Sequence, residues 1–350
     1  MKPHVPPVFE PVLHKLVKES GRYFGQEQVL IEPLRHIERP FSAILEVRVS
    51  RRPDAPGAFI KILKPPADTP EHIASMRQNV RNDFEVTRRV YAGLTDRVGL
   101  SAVRPIACFP ENLAIITEQL TGLTLAAVLR KHAAGFPSPR TIEELSRVVD
   151  RVGTWLRAFQ AMAPATQRIS LDMWRTYLDV RLTCLQSSGS QRLTQDERSG
   201  LQRYFDGQAR EIPEEQLGAV WIHADLCPEN VVVHQERVAV LDFTMVKSGP
   251  IYHDLAHLYM QMDLLRAKPW FSSQIVDLLQ RRLLDGFESG LAPHRPLFAL
   301  LLLQHVVCQL VSLQNPPRGL LTRSYARYVG RRHLRWLRRL AHAGDQRQEP

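Results

Sequence analysis

The stretch Trp221–Thr244, WIHADLCPENVVVHQERVAVLDFT, constrains the fold more than any other part of the 350-residue chain. Its two apolar runs, VVV and VAVLDF, flank a polar HQER segment, which is the pattern of a tight hairpin of adjacent antiparallel strands. In such a hairpin Asn230, just before the first strand, lies beside Asp242, near the end of the second. A carboxylate and an amide oxygen that converge in this way suit a hard cation such as Mg²⁺.

The loop ahead of the hairpin carries a second carboxylate, Asp225, which is placed to accept a proton from a substrate hydroxyl without binding the metal. The spacing from His223 through Asp225 to Asn230, followed by Asp242-Phe243, matches the catalytic-loop and metal-loop pattern of kinases. A β-hairpin that carries polar residues without catalytic function is the alternative interpretation.

A kinase also needs a strand lysine that binds the nucleotide phosphates and a helix glutamate that holds this lysine. Lys61 lies in the middle of the apolar strand pattern FIKIL, where a lone ammonium group is costly without a partner. The helix that follows offers Glu71 and Glu85. Glu71 suits the first turn of the helix, so we expect Glu85, which lies deeper in the helix, to pair with Lys61.

The pattern of secondary structure changes near Glu118–Gly122. Before it, β-branched and aromatic residues predict strands at 41–50 and 57–64 around a hairpin loop. Thr69 is the expected N-cap of a helix to Leu94, and the runs AVRPIACF and NLAIITEQL predict two more strands. After it, apart from the strand pair at 231–243, the segments predict helices near 123–134, 142–162, 171–187, 194–209, 271–289 and 297–313.

The predicted fold is α+β and protein-kinase-like. A small antiparallel β-sheet lobe with one helix, residues 1–120, would bind the nucleotide. A larger, mainly helical lobe, residues 121–345, would hold the catalytic loop and the acceptor site.

The chain resembles the aminoglycoside phosphotransferase and choline kinase-like family in the segments GAFIKIL, NDFEVTRRVY, IITEQLTGLTL, WIHADLCPENVVV and LDFTMVKSGPIYHDLA. The resemblance implies that Asp225 is the catalytic base and that Asn230 and Asp242 bind Mg²⁺. It implies that backbone groups near Glu118 and Leu120 bind the adenine of ATP. It also implies that Asp254 is a buried aspartate that braces the catalytic loop, with an exposed helix N-cap as the alternative.

The chain departs from the family pattern in three places. The region expected to hold the phosphates, HIERPFSAILEV, contains no glycine, so we expect Ser42 and backbone amides near Phe41 to do this work. Thr244 stands where kinases have the glycine of the metal loop. The interval from Asp242 to Asp254 leaves no room for a long activation loop, so we expect a site that needs no phosphorylation to assemble.

These features predict an ATP- and Mg²⁺-dependent kinase that phosphorylates a hydroxyl group of a sugar-like or other small acceptor. The alternatives are a kinase for a membrane glycolipid or lipopolysaccharide sugar and a non-catalytic nucleotide-binding module. His257, Tyr259, Trp270 and His305 are candidates for the acceptor pocket, with core packing as the alternative role. The chain shows no acidic cluster for a polycationic aminoglycoside and few aromatic residues for a choline cage.

The positive charge of the chain is concentrated near its C-terminus. The net charge is +10, and nine arginines with no acidic residue lie between Glu288 and Asp345. The pattern of residues 323–340 predicts a basic amphipathic helix, and peripheral contact of this helix with an anionic membrane is one interpretation. A helix that packs on its lobe with solvated arginines is the one we favour, and nucleic acid is not an expected partner. Four widely spaced cysteines and the lack of an apolar leader predict a cytoplasmic protein, with the inner membrane face as the alternative.

Overall fold

Two units make up the computed structural model, which describes residues 5–25, 29–49, 57–163, 167–187, 192–314 and 319–346. Contacts between Cα atoms group Met1–Thr124 with Asn230–Val246 as the first unit, and Leu125–Glu229 with Lys247–Pro350 as the second. The predicted α+β class is confirmed, because an antiparallel sheet dominates the first unit and helices the second.

The first unit is built on a five-stranded antiparallel sheet of order β1-β2-β3-β5-β4. Its strands are β1 (Ile31–Glu38), β2 (Ser42–Val49), β3 (Gly57–Leu63), β4 (Pro105–Phe109) and β5 (Ala114–Glu118). The four strands predicted from sequence are confirmed, whereas the predicted loop at 51–56 lies outside the described residues. The edge strand β1 was not predicted, because Pro33 and its charged residues hide the strand pattern.

Three helices accompany this sheet: α1 (Glu10–Lys18), α2 (Ser20–Phe24) and α3 (Pro70–Leu94). The α3 helix begins as predicted, with the Thr69 hydroxyl accepting a hydrogen bond from the His72 amide at 3.3 Å. One apolar cluster contains five fully buried residues: Phe9 just before α1, Leu16 of α1, Leu45 and Ile60 of the sheet, and Val80 of α3. This core fixes the strand that carries Lys61 against the helix that follows it.

The predicted hairpin is confirmed as β8 (Val231–His234) and β9 (Arg237–Val240), with β6 (Leu123–Thr124) paired to β8. Its tight turn places Gln235 and Glu236 at φ of 44° and 65°, the left-handed values that a type I′ turn requires. The hairpin groups with the first unit, because the Arg237 guanidinium binds the carbonyls of Thr95 and Leu100. The predicted lobe boundary at residue 120, which assigns the hairpin to the helical lobe, stays a prediction.

The second unit contains a two-stranded sheet of β7 (Ala219–Ile222) and β10 (Lys247–Pro250). Its helices are α4 (Leu125–His132), α5 (Pro139–Gln160), α6 (Leu171–Ser187), α7 (Gln195–Arg210), α8 (His253–Asp263), α9 (Ser273–Phe287), α10 (Pro296–Ser312) and α11 (Leu320–Gln346). All six predicted helical segments are confirmed. The strongly apolar run at 297–313 is the buried helix α10.

The basic C-terminal segment is α11, and it packs on its unit as the favoured interpretation predicts. Val329 and Leu337 are fully buried, Arg332 pairs with Asp263, and Arg338 pairs with Glu197. Contact of its exposed face with an anionic membrane stays a prediction. Within the described residues, no helix combines the length and the hydropathy that crossing a bilayer requires.

Candidate active site

Asp254, the second residue of α8, anchors the loop that carries Asp225. The backbone amides of His223 and Ala224 donate hydrogen bonds to the Asp254 carboxylate at 2.6 and 2.9 Å. Asp254 is fully buried, so the predicted loop brace is confirmed and the exposed N-cap is wrong. Ala224 has a left-handed φ of 63°, a strained value for alanine that the two hydrogen bonds help to hold.

Asp254 remains charged although it is buried. Burial raises its pKa, but hydrogen bonds from His253 and from the His223 amide, together with nearby positive charge, outweigh this effect and lower it. Asp225 itself is exposed, whereas His223 and Leu226 on either side are fully buried. The loop therefore presents the Asp225 carboxylate from a fixed backbone, as a catalytic base requires.

Three buried or half-buried histidines follow the loop. His257 stacks on His305 with ring centroids 4.8 Å apart, and His253 meets His305 edge-on at 4.7 Å. Burial and the neighbouring imidazoles hold the pKa of His305 well below its usual range. Burial also lowers the pKa of His257, while the Asp225 charge acts in the opposite direction. His257 and His305 are therefore neutral near pH 7, and His257 lies within electrostatic range of Asp225.

Lys61 is the centre of a charged cluster in the first unit. Its Nζ lies 2.6 Å from Oδ1 of Asp242, 3.0 Å from Oγ1 of Thr244 and 3.8 Å from Oδ2 of Asp83. The Lys61 side chain is only 17% exposed, so these partners compensate an ammonium group that burial would otherwise disfavour.

The prediction that Glu85 holds Lys61 is wrong, and Asp83 takes this position. Glu85 is half-buried, with a side chain that is 44% exposed, and it pairs with Arg88 at 2.6 Å and Arg89 at 3.6 Å. Two residues correspond to roughly 200° around a helix, so Glu85 points away from the face that carries Asp83. The signal was present in the sequence as helical spacing, since the buried residues of α3 are Val80, Asp83, Thr87, Val90 and Leu94.

Asp83 is 3% exposed, and its carboxylate accepts hydrogen bonds from the Thr244 hydroxyl at 2.8 Å and from the Phe243 amide. Burial raises its pKa, although the Lys61 charge and these hydrogen bonds act in the opposite direction. Asp83 thereby connects α3 to both Lys61 and the segment that follows Asp242.

Thr244, in the sequence only a departure from the family pattern, lies at the centre of the Lys61 cluster. Its hydroxyl lies within hydrogen-bond distance of Lys61, Asp83 and Asp242, the last at 2.7 Å. A glycine in this position has no side chain with which to make these contacts. Thr244 therefore ties the three charged groups together.

The hairpin brings Asn230 and Asp242 to its open end, as predicted. Val231 pairs with Val240, and the Leu241 amide donates to the Asn230 carbonyl at 2.9 Å. Asp242 has a left-handed backbone, with φ of 68° and ψ of 73°, and its side chain is 38% exposed. Strained residues of this kind concentrate at functional sites.

The donors at this end of the hairpin fit Mg²⁺ better than a transition metal. One carboxylate and one amide oxygen form the sparse oxygen set of a magnesium ion that also binds water and phosphate oxygens. The described residues contain no group of three or more His, Cys, Asp or Glu side chains arranged as a metal site. The roles of Asn230 and Asp242 as metal ligands stay predictions.

The residues predicted to bind ATP occupy two segments of the first unit. Ser42 is buried at the start of β2, and its carbonyl accepts the Arg39 amide at 2.9 Å across a tight turn that exposes Phe41. In the other segment, the Arg104 amide donates to the Glu118 carboxylate at 2.8 Å, and the Glu118 amide donates to the Arg104 carbonyl at 3.0 Å. Contacts of ATP with Ser42, Glu118 and Leu120 stay predictions.

A sheet lysine held by a helix carboxylate, a braced loop with an exposed aspartate, and a hairpin that ends in Asn and Asp define a phosphotransferase of the protein-kinase-like class. Residues 64–297, more than half of the chain, match the model of the phosphotransferase enzyme family named APH. The chain therefore belongs to this family, whose members act as phosphotransferases, and the resemblance seen in the sequence is confirmed.

Solved structures of the same fold include aminoglycoside phosphotransferases and choline kinases. A thermostable mutant of aminoglycoside phosphotransferase APH(4)-Ia with ADP and hygromycin B is 16% identical, covers 96% of this chain and 99% of its own, and has a TM-score of 0.52. Choline kinase from Cryptosporidium parvum Iowa II is 11% identical, with coverages of 97% and 98% and a TM-score of 0.53. A choline/ethanolamine kinase family protein from Mesorhizobium loti is 14% identical, with coverages of 94% and 98% and a TM-score of 0.52. No curated protein gives a significant match to the chain.

Proposed function

We propose that this protein transfers the γ-phosphoryl group of ATP to a hydroxyl group of a small acceptor that is neutral or anionic, such as a sugar derivative. The observation that carries the proposal is the Lys61 cluster, in which one ammonium group is held at 2.6 Å from Asp242 and 3.8 Å from Asp83. Such a held lysine neutralises and positions nucleotide phosphates.

The residues of the chain divide the work as follows. Asp225 orients the acceptor hydroxyl and takes its proton as the new phosphate ester bond forms. Lys61 neutralises phosphate charge, and Asp83 and Thr244 keep it in place. Asn230 and Asp242 would hold Mg²⁺, which would further neutralise the phosphate charge. Most of the rate acceleration comes from positioning and charge stabilisation.

The surroundings of Asp225 support a neutral or anionic acceptor over a polycationic one. His257 is half-buried and neutral, and its Nδ1 atom has no hydrogen-bond partner among the described residues. A neutral imidazole nitrogen suits recognition of a hydroxyl group, whereas a polycation would need carboxylates instead. None of the four cysteines, all of which lie among the described residues, forms a disulfide, which supports a reducing, cytoplasmic setting for the enzyme.

A coupled assay of ADP release, with ATP, Mg²⁺ and a panel of sugars, amino alcohols and aminoglycosides, tests the proposal. We expect acceptor-dependent ADP release that requires Mg²⁺ and is strongest with a sugar-like hydroxyl compound. Asp225→Asn should abolish transfer without lowering the melting temperature, and His257→Asn should raise the KM for the acceptor. Undiminished transfer by Asp225→Asn would refute the catalytic assignment, and a clear preference for aminoglycosides would refute the acceptor class.

A further inference from the structure

The second unit contains a cavity of about 820 Å³ that the proposed reaction does not use. Helices α7, α8, α10 and α11 line it, and its size is that of a site for a drug-sized molecule. Aromatic and basic side chains form much of its wall, namely Tyr204, Tyr259, Tyr328, Trp336, Arg335 and Arg339. Three of the eight tyrosines of the chain lie here, so this wall concentrates residues that are sparse elsewhere.

The cavity carries more positive charge than its own carboxylate neutralises. Asp263 is the acidic residue of the wall, and it already binds Arg332 at 3.0 Å and Arg266 at 2.7 Å. Arg335 contacts a backbone carbonyl, that of Arg331, at 3.3 Å. Arg339 has no ion pair with any described carboxylate. Like charges four residues apart on one helix repel each other, so Arg335 and Arg339 favour an anion in the cavity.

His333 provides an independent indication of a ligand. It lines the same cavity, is 4% exposed, and its Nδ1 atom has no hydrogen-bond partner among the described residues. A buried polar atom without a partner is energetically costly, and native structures contain few of them. A polar ligand group in the cavity would satisfy it.

The cavity is separate from the catalytic loop, because the two lie at opposite ends and on opposite sides of α8. Asp254 braces the loop near the start of this helix, whereas Tyr259 and Asp263 line the cavity near its end. Nine residues separate Asp254 from Asp263, which corresponds to about 13 Å along the helix axis. They make about two and a half turns, so the two side chains lie on roughly opposite sides of the helix. A ligand in the cavity is therefore not the phosphoryl acceptor held by Asp225.

We propose that this cavity is a second binding site, for a small organic anion that carries a phosphate or carboxylate group on an aromatic or aliphatic body. Arg335 and Arg339 bind the anionic group, and the faces of Trp336 and Tyr328 pack on the apolar body. The site does not depend on the proposed kinase activity, and its occupant is distinct from both ATP and the acceptor.

Calorimetric titration of the intact protein with three probes tests this site. The probes are phenyl phosphate, with both the anion and the ring, inorganic phosphate, with the anion alone, and phenyl glucoside, with the ring alone. We expect phenyl phosphate to bind most tightly. The double variant Arg335→Gln/Arg339→Gln should weaken it by about tenfold to a hundredfold, since a hydrogen bond to a charged group contributes about 1.5–3 kcal/mol.

The matched control is Arg323→Gln/Arg331→Gln, which removes two exposed arginines of the same helix that do not line the cavity. It should change the affinity for phenyl phosphate less than about twofold, because neither side chain lines the cavity and exposed surface charges are screened by salt. Equal weakening in both double variants, or no measurable binding of phenyl phosphate to the wild type, would overturn the proposal. Melting temperatures close to that of the wild type show that both variants fold.

Sedimentation with vesicles of phosphatidylcholine and phosphatidic acid distinguishes the two sources of such an anion. If the natural ligand is a lipid headgroup, the cavity variant loses vesicle binding and the control variant retains it. If it is a soluble metabolite, the two variants sediment alike while their affinities for phenyl phosphate differ. Either result supports the site only if the cavity variant binds phenyl phosphate more weakly than the control variant does.

Discussion

Lys61 Nζ lies 3.8 Å from Oδ2 of Asp83, a carboxylate that is 3% exposed and located on the inward face of α3. This pair connects the central strand of the sheet to the helix that follows it. Lys61 also contacts Asp242, the proposed metal ligand, at 2.6 Å. The Asp83 carboxylate therefore influences the positions of both Lys61 and Asp242.

The first prediction separates Asp83 from Glu85. Asp83→Asn should lower kcat/KM by about tenfold to a hundredfold, because an amide holds an ammonium group more weakly by about 1.5–3 kcal/mol. Glu85→Gln should leave the kinetics close to wild type, since Glu85 pairs with Arg88 on the exposed side of the helix. Steady-state kinetics for ATP measure both. A larger loss in Glu85→Gln than in Asp83→Asn would contradict this assignment.

The second prediction concerns the hydroxyl of Thr244, which contacts Lys61, Asp83 and Asp242. Thr244→Val keeps the shape of the side chain and removes the hydroxyl. The buried Asp83 carboxylate then loses the hydrogen bond that this hydroxyl donates at 2.8 Å. We expect kcat/KM to fall by about tenfold. Thr244→Ser keeps the hydroxyl and should remain within about threefold of wild type. Similar activities for the serine and valine variants would show that the hydroxyl has no such role.

Much of this site follows from short-range patterns in the sequence. The hairpin is encoded by two apolar runs around HQER, and its register alone brings Asn230 beside Asp242. Lys61 stands out because an apolar strand surrounds it. The role of Asp254 in bracing the loop, by contrast, is predicted only by the family resemblance. Its partners are backbone amides 30 and 31 residues away in the chain, which no local pattern records.

Other features could not be predicted because they depend on tertiary packing. The choice between Asp83 and Glu85 depends on which face of α3 is buried, and the neighbouring apolar residues Phe84 and Val86 obscure this face locally. The position of Arg339 in a cavity follows from how α11 packs on the other helices of its unit. Such facts lie in contacts between residues far apart in the chain, which a periodic pattern does not record.

The third prediction tests the loop brace. In the wild type, two backbone amides donate to the Asp254 carboxylate at 2.6 and 2.9 Å. In Asp254→Asn, the NH₂ group of the new side chain faces one of these amides, so that two donors oppose each other. The variant should lose about 2–3 kcal/mol of stability and most of its phosphoryl transfer. Asp277→Asn is the matched control, because this aspartate is 52% exposed and its ion pair with Arg266 contributes little. Thermal unfolding and the ADP-release assay would contradict the brace if both variants behaved alike.

The fourth prediction is a pH dependence of stability. Burial lowers the pKa of His333 from 6.5 to about 4. The unfolded chain therefore binds more protons than the folded protein between these values, so this contribution is fully present above pH 6.5 and is lost as the pH falls toward 4. Between pH 7 and pH 5 the loss should be about 2 kcal/mol.

Unfolding midpoints of the wild type and of His333→Leu at pH 7 and pH 5 measure this contribution. The difference between the two pH values should be smaller in the variant, because leucine does not titrate. Other titrating groups act equally in both proteins and cancel in the comparison. An identical pH dependence in the two proteins would show that His333 is not held neutral by burial.

The fifth prediction concerns the contact between α5 and α9, where two glycines allow close approach. A Cβ atom on Gly286 would lie 2.0 Å from the backbone oxygen of Asp150, and one on Gly153 would lie 2.4 Å from that of Leu283. In an open helix, Gly→Ala stabilises by about 1 kcal/mol. Here the added methyl group meets backbone that cannot move without separating the helices. Gly286→Ala should therefore destabilise by about 1–3 kcal/mol, whereas Asp285→Ala, at the exposed neighbouring position, should change stability by less than about 0.5 kcal/mol. Thermal unfolding decides between the two effects, because a higher melting temperature in Gly286→Ala would mean that helix propensity outweighs packing at this contact.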